Sequence, residues 1–212
     1  LHGDTSHVEA LGPKLSGADL VILAGDITHF GGKNAAQDIL TVIRRYNTNI
    51  LAVHGNCDTL EVADYLSDEG INLHKTVMEM GGITFVGFGG SLPGPAKTPT
   101  VYGESDYEAF FSRLKDQIQD PSALVLVCHE PPFNTKADRV IGLMHVGSKA
   151  LRTFIDETGP LACFCGHIHE SICIDRVGRT YVVNPGPFKD GRHVEGAIKP
   201  GFCDFYGTFK VE

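Results

Sequence analysis

The stretch Gly166-His167-Ile168-His169 decides how this chain is interpreted. It follows the apolar run LACFC at 161–165, which predicts a short buried strand. Because the two histidines are two residues apart, both imidazoles lie on one side of an extended segment. The stretch therefore predicts a pair of ligand-type side chains at the end of a strand.

Other apolar runs in the chain also end in polar residues of the kinds that bind metals. They are DLVILAGD at 19–26, NILAVHGN at 49–56 and ALVLVCHE at 123–130, and LHGD opens the chain at 1–4. Because ligand sites in α/β proteins gather outside the carboxyl ends of strands, we expect these side chains to converge in one cleft. The expected group is His2, Asp26, Asn56, His129, His167 and His169. Imidazole, carboxylate and amide ligands suit Mn²⁺, Fe²⁺, Ni²⁺ or Zn²⁺, and affinity alone does not choose among them.

In order, the motifs resemble the signature of the calcineurin-like metallophosphoesterase superfamily: D-x-H, G-D, G-N-x-[DE], [GC]-H and G-H-x-H. The chain is similar to small, single-domain, prokaryotic-type members in which the third motif is G-N-C-D, here Gly55-Asn56-Cys57-Asp58. The resemblance runs over residues 1–212 and implies an α/β fold, a four-layer αββα sandwich of two mixed β-sheets flanked by helices. Only Leu1-His2 represent the first motif, so we expect a first strand and the Asp of D-x-H to precede Leu1.

The resemblance also implies a dinuclear metal-dependent phosphoesterase, in which a metal-activated hydroxide attacks the phosphoester bond. Two divalent metal ions are expected, with manganese as the first choice and iron, nickel or zinc as alternatives. By resemblance, one ion would be held by His2, Asp26 and His169, and the other by Asp26, Asn56, His129 and His167. Asp26 would bridge them, and the expected catalytic residues are Asp26, Asn56, Asp58 and His145. Of these, Asp58 is expected to orient neighbouring groups rather than to bind metal.

The sequence does not decide the roles of several residues around the motifs. Cys57 stands where many family members have a histidine that helps to protonate the leaving oxygen, and a thiol with an ordinary pKa near 8.5 is a mediocre acid. His29 is equally well explained by support of the site or by exposure to solvent. The loop 130–146 is longer than most connections and is therefore a functional candidate. In it, His145 precedes a predicted helix start, which favours anions, whereas Lys136 is equally consistent with a phosphate contact or a solvated side chain.

Composition narrows the class of protein. Apolar residues make up 42% and charged residues 21% of the 212 residues, as in soluble globular domains. The net charge of −8 and the pI near 5.6 argue against a nucleic-acid polymer as substrate, because phosphate-backbone binders are usually basic. No apolar run is long enough for a membrane span. We therefore expect a small phosphorylated substrate and no membrane partner, and a homo-oligomer remains open.

The six cysteines lie mostly in or beside apolar strand segments, where cysteine behaves as a small buried hydrophobe. This placement predicts free thiols and a reducing, cytoplasmic location. The alternative function is a non-catalytic, metal-binding scaffold with the same fold, since some relatives act through protein contacts after losing their ligands. Every visible ligand is present in this chain, which favours the enzyme.

The coarse pattern alternates helix and strand over one domain. Helices are predicted at 5–15, 33–46, 59–68, 105–118 and 147–157, and strands at 19–24, 50–54, 76–80, 83–88, 123–128, 161–165, 171–176, 179–183 and 203–211. Gly81-Gly82 predicts a two-residue hairpin turn, and Ser105 is the predicted N-cap of its helix. A parallel half followed by an antiparallel half suggests two facing sheets with helices outside.

Overall fold

Four layers stack in the computed structural model, which describes residues 1–141 and 144–210. Helices cover the outer face of the first sheet, and its inner face packs against the second sheet. Further helices cover the outer face of the second sheet. The predicted four-layer sandwich of helices and mixed sheets is confirmed. Within the described residues, the helices are too short or too polar to cross a membrane.

Residues 8–68 build the smaller sheet and its helices. The elements are α1 Val8–Gly17, β1 Val21–Ala24, α2 Lys33–Arg44, β2 Ile50–Val53 and α3 Leu60–Asp68. β1 and β2 run parallel, with Val21 opposite Ile50 and Ala24 opposite Val53. Helix α2 buries Ile39, Leu40 and Ile43 along one face, at the spacing that an amphipathic helix requires. That face packs with α3 on the outer side of the sheet.

The chain after α3 supplies the larger sheet and two further two-stranded sheets. Its strands are β3 Val77–Met80, β4 Ile83–Phe88, β5 Leu124–Cys128, β6 Arg139–Val140, β7 Met144–His145, β8 Ala162–Phe164, β9 Cys173–Val177, β10 Thr180–Asn184, β11 Arg192–Lys199 and β12 Phe202–Lys210. Six of these strands form one sheet in the order β3-β4-β5-β8-β10-β9. The four central strands are parallel, and both edge strands are antiparallel to their neighbours. Helices α4 Glu104–Lys115 and α5 Lys149–Thr158 are the crossovers between its parallel strands.

Alternation along the central strands assigns side chains to the layers. In β5, Leu124 and Leu126 pack against the phenylalanines of α4 and α5, whereas Val125 and Val127 face the other way, into the core between the sheets. That inner core also contains Leu51 of β2. Successive side chains of a strand point to opposite faces, so β5, which is buried throughout, has to be apolar at every position.

Three expectations about local structure need correction. The N-cap of α4 is Gly103, not Ser105, because the Asp106 carboxylate accepts the Gly103 N–H at 2.8 Å and so fixes the helix start two residues earlier. The second half is less antiparallel than predicted, since β4, β5, β8 and β10 run parallel. Strand β11 was not predicted. A bulge between Val194 and Gly196 breaks its alternating pattern, which removes the usual signal for a strand.

Two local predictions are confirmed. Gly81 and Gly82 connect β3 and β4 with φ angles of 59° and 76°, as a tight hairpin turn with two left-handed residues requires. All six cysteines are free.

Candidate metal centre

The candidate site lies where four parallel strands from both sheets end. Asp26 follows β1, Asn56 follows β2, His129 follows β5, and the segment Gly166–His169 follows β8. Because the carboxyl ends of these strands meet in one region, the expected residues come together. We call His2, Asp26, Asn56, His129, His167 and His169 the metal cluster.

Asp26 occupies the middle of the metal cluster. Its Oδ2 atom lies 3.4 Å from His2 Nε2 and also 3.4 Å from His129 Nε2. On one side, His2 Nε2 is 2.9 Å from His169 Nε2, and ligand-type atoms of His2, Asp26 and His169 all lie within 4.8 Å of one another. On the other side, Asn56 Oδ1 is 2.9 Å from His129 Nε2. The cluster thus consists of two groups of ligand atoms that share one carboxylate.

His167 joins the second group less closely. Its ring centroid is 5.3 Å from that of His129, and its Nε2 atom lies 3.9 Å from Glu130 Oε2. The backbone of His167 has a φ of 64°, as unusual for a non-glycine residue as the 54° of His2 and the 47° of Asp26. Such left-handed residues cost conformational energy and tend to gather at functional sites.

The hydrogen bonds of His129 test whether the cluster fits a metal. Its Nδ1 is 2.7 Å from the Ala24 carbonyl oxygen, which can only accept, so Nδ1 carries the proton. In the neutral ring Nε2 then has a lone pair, and it faces two more acceptors, Asn56 Oδ1 and Asp26 Oδ2. Burial acts to lower the pKa of His129, but the Asp26 carboxylate raises it overall, so the three atoms converge on a position that suits positive charge, either a proton on Nε2 or a metal ion in its place. Imidazole, carboxylate and amide oxygen also form a suitable donor set for divalent metals, so the residues fit such an ion.

The charge states of the cluster suit cation binding. Burial lowers the pKa of His2 to about 4 and that of His167 to about 3, so both imidazoles are neutral near pH 7, as metal ligands must be. Burial acts to raise the pKa of Asp26, but His129 and the Cys57 N–H hold it well below its usual range. The negative Asp26 carboxylate and the neutral imidazoles of His2 and His167 are therefore suited to binding positive charge.

Glycine precedes both Asp26 and Asn56 for a steric reason. Gly25 has a φ of 92°, and a Cβ atom there would collide with the His129 ring. A Cβ atom on Gly55 would collide with the Asp26 carboxylate. Because glycine has no Cβ and tolerates positive φ, these positions allow the strand-end loops to approach closely enough to form the cluster.

Asp58 lies beneath the metal cluster, fully buried. Its Oδ2 accepts the N–H groups of Ile27 at 3.0 Å and Gly55 at 2.8 Å. Its Oδ1 accepts both the N–H and the hydroxyl of Thr28 at 2.7 Å. Burial raises the pKa of Asp58, while the bonds from Gly55 and Thr28 act to lower it. These contacts fasten the Asp26 loop to the Asn56 loop, which is the geometry of a positioning residue.

His145 lies apart from the cluster, on β7. Its Nδ1 is 2.6 Å from Oδ1 of the buried Asp138, and its ring packs edge-on to Phe133. Within the described residues, no hydrogen bond or ring contact joins His145 to the metal cluster. The hairpin that carries it is linked to the segment Gly166–His169 through Ser171, whose hydroxyl donates to the carbonyl of Arg139, the residue that pairs with His145, and whose N–H donates to the Ile168 carbonyl.

The residues whose roles the sequence left open, His29, Cys57 and Lys136, differ in burial and in their contacts. His29 is exposed, and its ligand-type atom lies within 4.8 Å of those of His2 and Cys57. Cys57 is buried and donates its N–H to Asp26 Oδ1 at 2.8 Å. Burial, and then the nearby Asp26 charge, raises the pKa of its thiol to about 12. Lys136 pairs with Asp175 at 3.6 Å and its side chain is 62% exposed, which favours the solvated side chain over a phosphate contact.

Sequence reasoning missed three residues that shape the site. Glu130 is buried beside His129, accepts the Leu92 N–H at 2.9 Å, and has its pKa raised to about 8 by burial. Thr100, from the loop after β4, donates its hydroxyl to the Asp58 carbonyl at 2.6 Å and its N–H to the Asn56 carbonyl. Thr28 binds Asp58. Of the three, only Glu130 could have been found from the sequence, because it is a carboxylate directly after His129. Thr28 and Thr100 both bind Asp58, which is far from them in the sequence, so no local pattern indicates their roles.

Comparisons with known proteins agree with this geometry. The family model described as calcineurin-like phosphoesterase matches residues 1–171. The chain is 42% identical over 175 residues to an uncharacterized protein of Methanocaldococcus jannaschii, and the match covers 80% of this chain and 78% of that protein. The chain therefore belongs to the calcineurin-like phosphoesterase family, whose members generally bind divalent metals and hydrolyse phosphoesters.

Solved structures share the fold at low sequence identity. A crystal structure of TT1561 from Thermus thermophilus has a TM-score of 0.73 and 18% identity, over 97% of this chain and 94% of that chain. Another crystal structure reaches a TM-score of 0.79 at 17% identity, over 97% and 95%. A putative 5′-nucleotidase from Staphylococcus aureus, solved in complex with α-ketoglutarate, has a TM-score of 0.55 at 11% identity, and the match spans 97% of this chain and 48% of that chain.

Proposed function

We propose that this protein is a dinuclear metal-dependent phosphoesterase that hydrolyses a small phosphorylated substrate. Manganese is the metal we favour. In this proposal His2, Asp26 and His169 hold one ion, and Asp26, Asn56, His129 and His167 hold the other. Divalent metals bound there supply the Lewis acidity that activates water and neutralises phosphoryl oxygens.

One observation carries the proposal: Asp26 Oδ2 lies at the same distance, 3.4 Å, from His2 Nε2 and His129 Nε2. A carboxylate oxygen between two imidazole nitrogens can be shared by two cations. His169 completes the group around His2, and Asn56 completes the group around His129. Each group thus combines imidazole with oxygen ligands, and neither depends on a thiolate.

The surrounding residues hold this arrangement in place. Asp58 uses both carboxylate oxygens to tie the loop after β1 to the loop after β2. Asn184 donates its side-chain N–H to the Ile168 carbonyl at 2.9 Å, and so fixes the segment between His167 and His169. Because groups behind metal ligands fix ligand orientation, we propose that these two residues set the spacing of the cluster.

His145 is proposed to contact the substrate rather than a metal. Asp138 accepts from Nδ1 of His145 and thereby leaves Nε2 for an external partner. The Asp138 carboxylate also accepts the N–H groups of Asn134, Thr135 and Gly147 at 2.9–3.1 Å, so its own position is fixed. We propose that Nε2, when it carries a proton, donates to a phosphoryl oxygen of the bound substrate.

The charge of the protein favours a small substrate. With a net charge of −8, the chain lacks the overall positive field that attracts nucleic-acid backbones. Local positive charge would come from the bound metals instead, because metal ions are often the largest charges in their sites. We therefore propose a phosphoester of modest size, with the choice between monoester and diester left to experiment.

The test is hydrolysis of p-nitrophenyl phosphate and bis(p-nitrophenyl) phosphate by protein stripped with EDTA and then reloaded with Mn²⁺. The proposal expects no turnover after stripping and recovery on reloading, and the ratio of the two rates decides between monoesterase and diesterase. If manganese binds but neither substrate turns over under any supplied metal, the protein is better described as a metal-binding scaffold.

A further inference from the structure

Phe30 combines two features that are rarely found together. Half of its surface is exposed, 50%, and its backbone is left-handed, with a φ of 59°. A bulky residue at positive φ is a genuine outlier. Three members of the metal cluster, His2, Asp26 and His167, share this kind of backbone. Strained residues of this kind cluster at functional sites, and half of the Phe30 surface stays exposed despite the strain.

Hydrogen bonds hold the Phe30 backbone firmly. Its N–H donates to the Cys57 carbonyl at 2.9 Å, which links it directly to the loop that carries Asn56. On the following residue, the Gly31 N–H and carbonyl both bind the Thr28 hydroxyl, at 3.2 and 3.1 Å. Thr28 is in turn bound to Asp58. The ring is therefore presented to solvent from a backbone whose position is set by the site itself.

A chain of ring contacts leads from Phe30 to the metal cluster. The Phe30 ring lies 4.7 Å from the His29 ring, edge to face, and the His29 ring lies 5.8 Å from the His2 ring. An aromatic surface this close to the cluster is within reach of a group attached to a phosphoryl centre bound there. We call Phe30 and His29 the aromatic wall.

We propose that the aromatic wall selects phosphoesters that carry a planar aromatic ring, an aryl group or a nucleobase, close to the phosphorus atom. This inference rests on the proposed function, because it assumes that the phosphoryl group binds at the metal cluster. Aromatic rings stack on one another in offset or edge-to-face geometry, and Phe30 offers a fixed, solvent-exposed ring for such stacking. A saturated ring of the same size fills the same space without that gain.

The test compares phenylphosphonate with cyclohexylphosphonate by calorimetry on the manganese-loaded protein. The titration is run at a pH above the second ionisation of both acids, where both are dianions, and neither has a phosphoester bond to cleave, so binding is measured without any contribution from leaving-group chemistry. The inference expects phenylphosphonate to bind about two- to tenfold more tightly, the range that aromatic pairing provides. Equal binding of the two phosphonates to the wild-type protein would overturn the aromatic wall and leave the phosphoesterase proposal standing.

Three variants locate the preference. Phe30→Tyr keeps the ring and should keep the preference, whereas Phe30→Asn removes the ring, tolerates positive φ, and should reduce the ratio of the two affinities to about one. Phe202→Ala is the matched control, because Phe202 is similarly exposed, at 54%, and lies on β12. If Phe30→Asn keeps the wild-type ratio, or Phe202→Ala loses it, Phe30 is not the determinant.

A second pair of ligands separates the two sources of the ring. Tighter binding of adenosine 5′-monophosphate than of ribose 5-phosphate, lost in Phe30→Asn, would identify a nucleobase. Equal binding of that pair, together with a preference for phenylphosphonate, would identify a simple aryl group close to phosphorus. Failure of every phosphonate and phosphate to bind the manganese-loaded wild-type protein would overturn this inference and the proposed function together.

Discussion

The site has a floor of nearly fully buried side chains, Asp26, Asn56, Asp58 and His129, and a rim of more exposed ones, His29, Phe30 and His145. Exposed fractions in the floor do not exceed 5%, whereas Phe30 is 50% exposed. Floor residues are held from several sides by backbone N–H groups and by one another. Rim residues have one fixed side and one side open to solvent.

This difference assigns different tasks to the two regions. Ligands that bind a cation must be preorganised within a fraction of an ångström, and hydrogen bonds fix Asp26, Asn56 and His129 in the floor, while the ligands His2, His167 and His169 lie beside it. A surface that distinguishes substrates has to leave one face free, and only the rim does. Substitutions in the floor should therefore affect metal and chemistry together, and substitutions in the rim should affect substrate choice while metal binding persists.

The largest effect is expected for Asp26→Asn. The amide oxygen can still accept the Cys57 N–H, now accepted by Oδ1 at 2.8 Å, so the fold should persist. Loss of a residue behind a metal ligand already costs roughly 10–100-fold, so loss of the shared carboxylate should exceed about 100-fold in kcat/KM with bis(p-nitrophenyl) phosphate. Circular dichroism serves as the control for folding. Wild-type turnover at unchanged metal content would contradict a role for Asp26 in metal binding and catalysis.

Asp58→Asn should give the next largest effect. The new amide NH₂ cannot accept the N–H groups that one carboxylate oxygen now receives. Leaving buried donors unsatisfied costs about 1–3 kcal/mol, measured by denaturant unfolding of the metal-free protein. Manganese affinity should also fall by about 10–100-fold, because the loops of Asp26 and Asn56 lose their connection. An unchanged manganese affinity in a destabilised variant would mean that Asp58 supports only the fold.

His145→Ala tests the rim. If His145 contacts a phosphoryl oxygen, kcat/KM should fall about 10–100-fold, the value of a hydrogen bond to a charged group. Manganese affinity should stay at the wild-type level, because within the described residues no hydrogen bond or ring contact joins His145 to the metal cluster. His7→Ala is the control, since His7 lies at the start of α1. A loss of manganese affinity in His145→Ala would show that His145 supports metal binding, as the floor residues do, and would contradict a role limited to the substrate.

Cys57→Ala should have the smallest effect. The thiol pKa near 12 makes it a poor proton donor, and alanine keeps the backbone N–H that binds Asp26. The rate with bis(p-nitrophenyl) phosphate should therefore change by less than about tenfold, below the ~10²–10⁴-fold that proton donation contributes. A loss of 100-fold or more, with metal content preserved, would give Cys57 a direct chemical role despite its high pKa.

The floor could be predicted from the sequence, because its residues follow apolar runs that had to be strands. Gly25-Asp26 and Cys128-His129 come at the ends of β1 and β5, and strand ends meet at one edge of a sheet. The same reasoning could not supply Thr28 or Thr100, since nothing local indicates which loop their hydroxyls will bind. It also missed β11, where the bulge breaks the alternation.

The rim was harder to predict for a physical reason. An exposed phenylalanine in a loop has no period or apolar neighbour that marks its role, and the left-handed φ of Phe30 cannot be read from its residue type. The sequence indicates His145 through its place before a helix start, but it does not indicate Asp138, the partner that orients it. Contacts at the rim depend on how loops that are separate in the sequence pack against one another, and the sequence pattern does not predict that packing.

The most direct test of the account is the number of manganese ions bound by the stripped protein, measured by calorimetry together with elemental analysis. If Asp26 is shared by two groups of ligands, the wild-type chain should bind two ions, and Asp26→Asn should weaken both. Binding of a single ion, or two ions whose affinities are unchanged in Asp26→Asn, would contradict a centre built around a shared carboxylate.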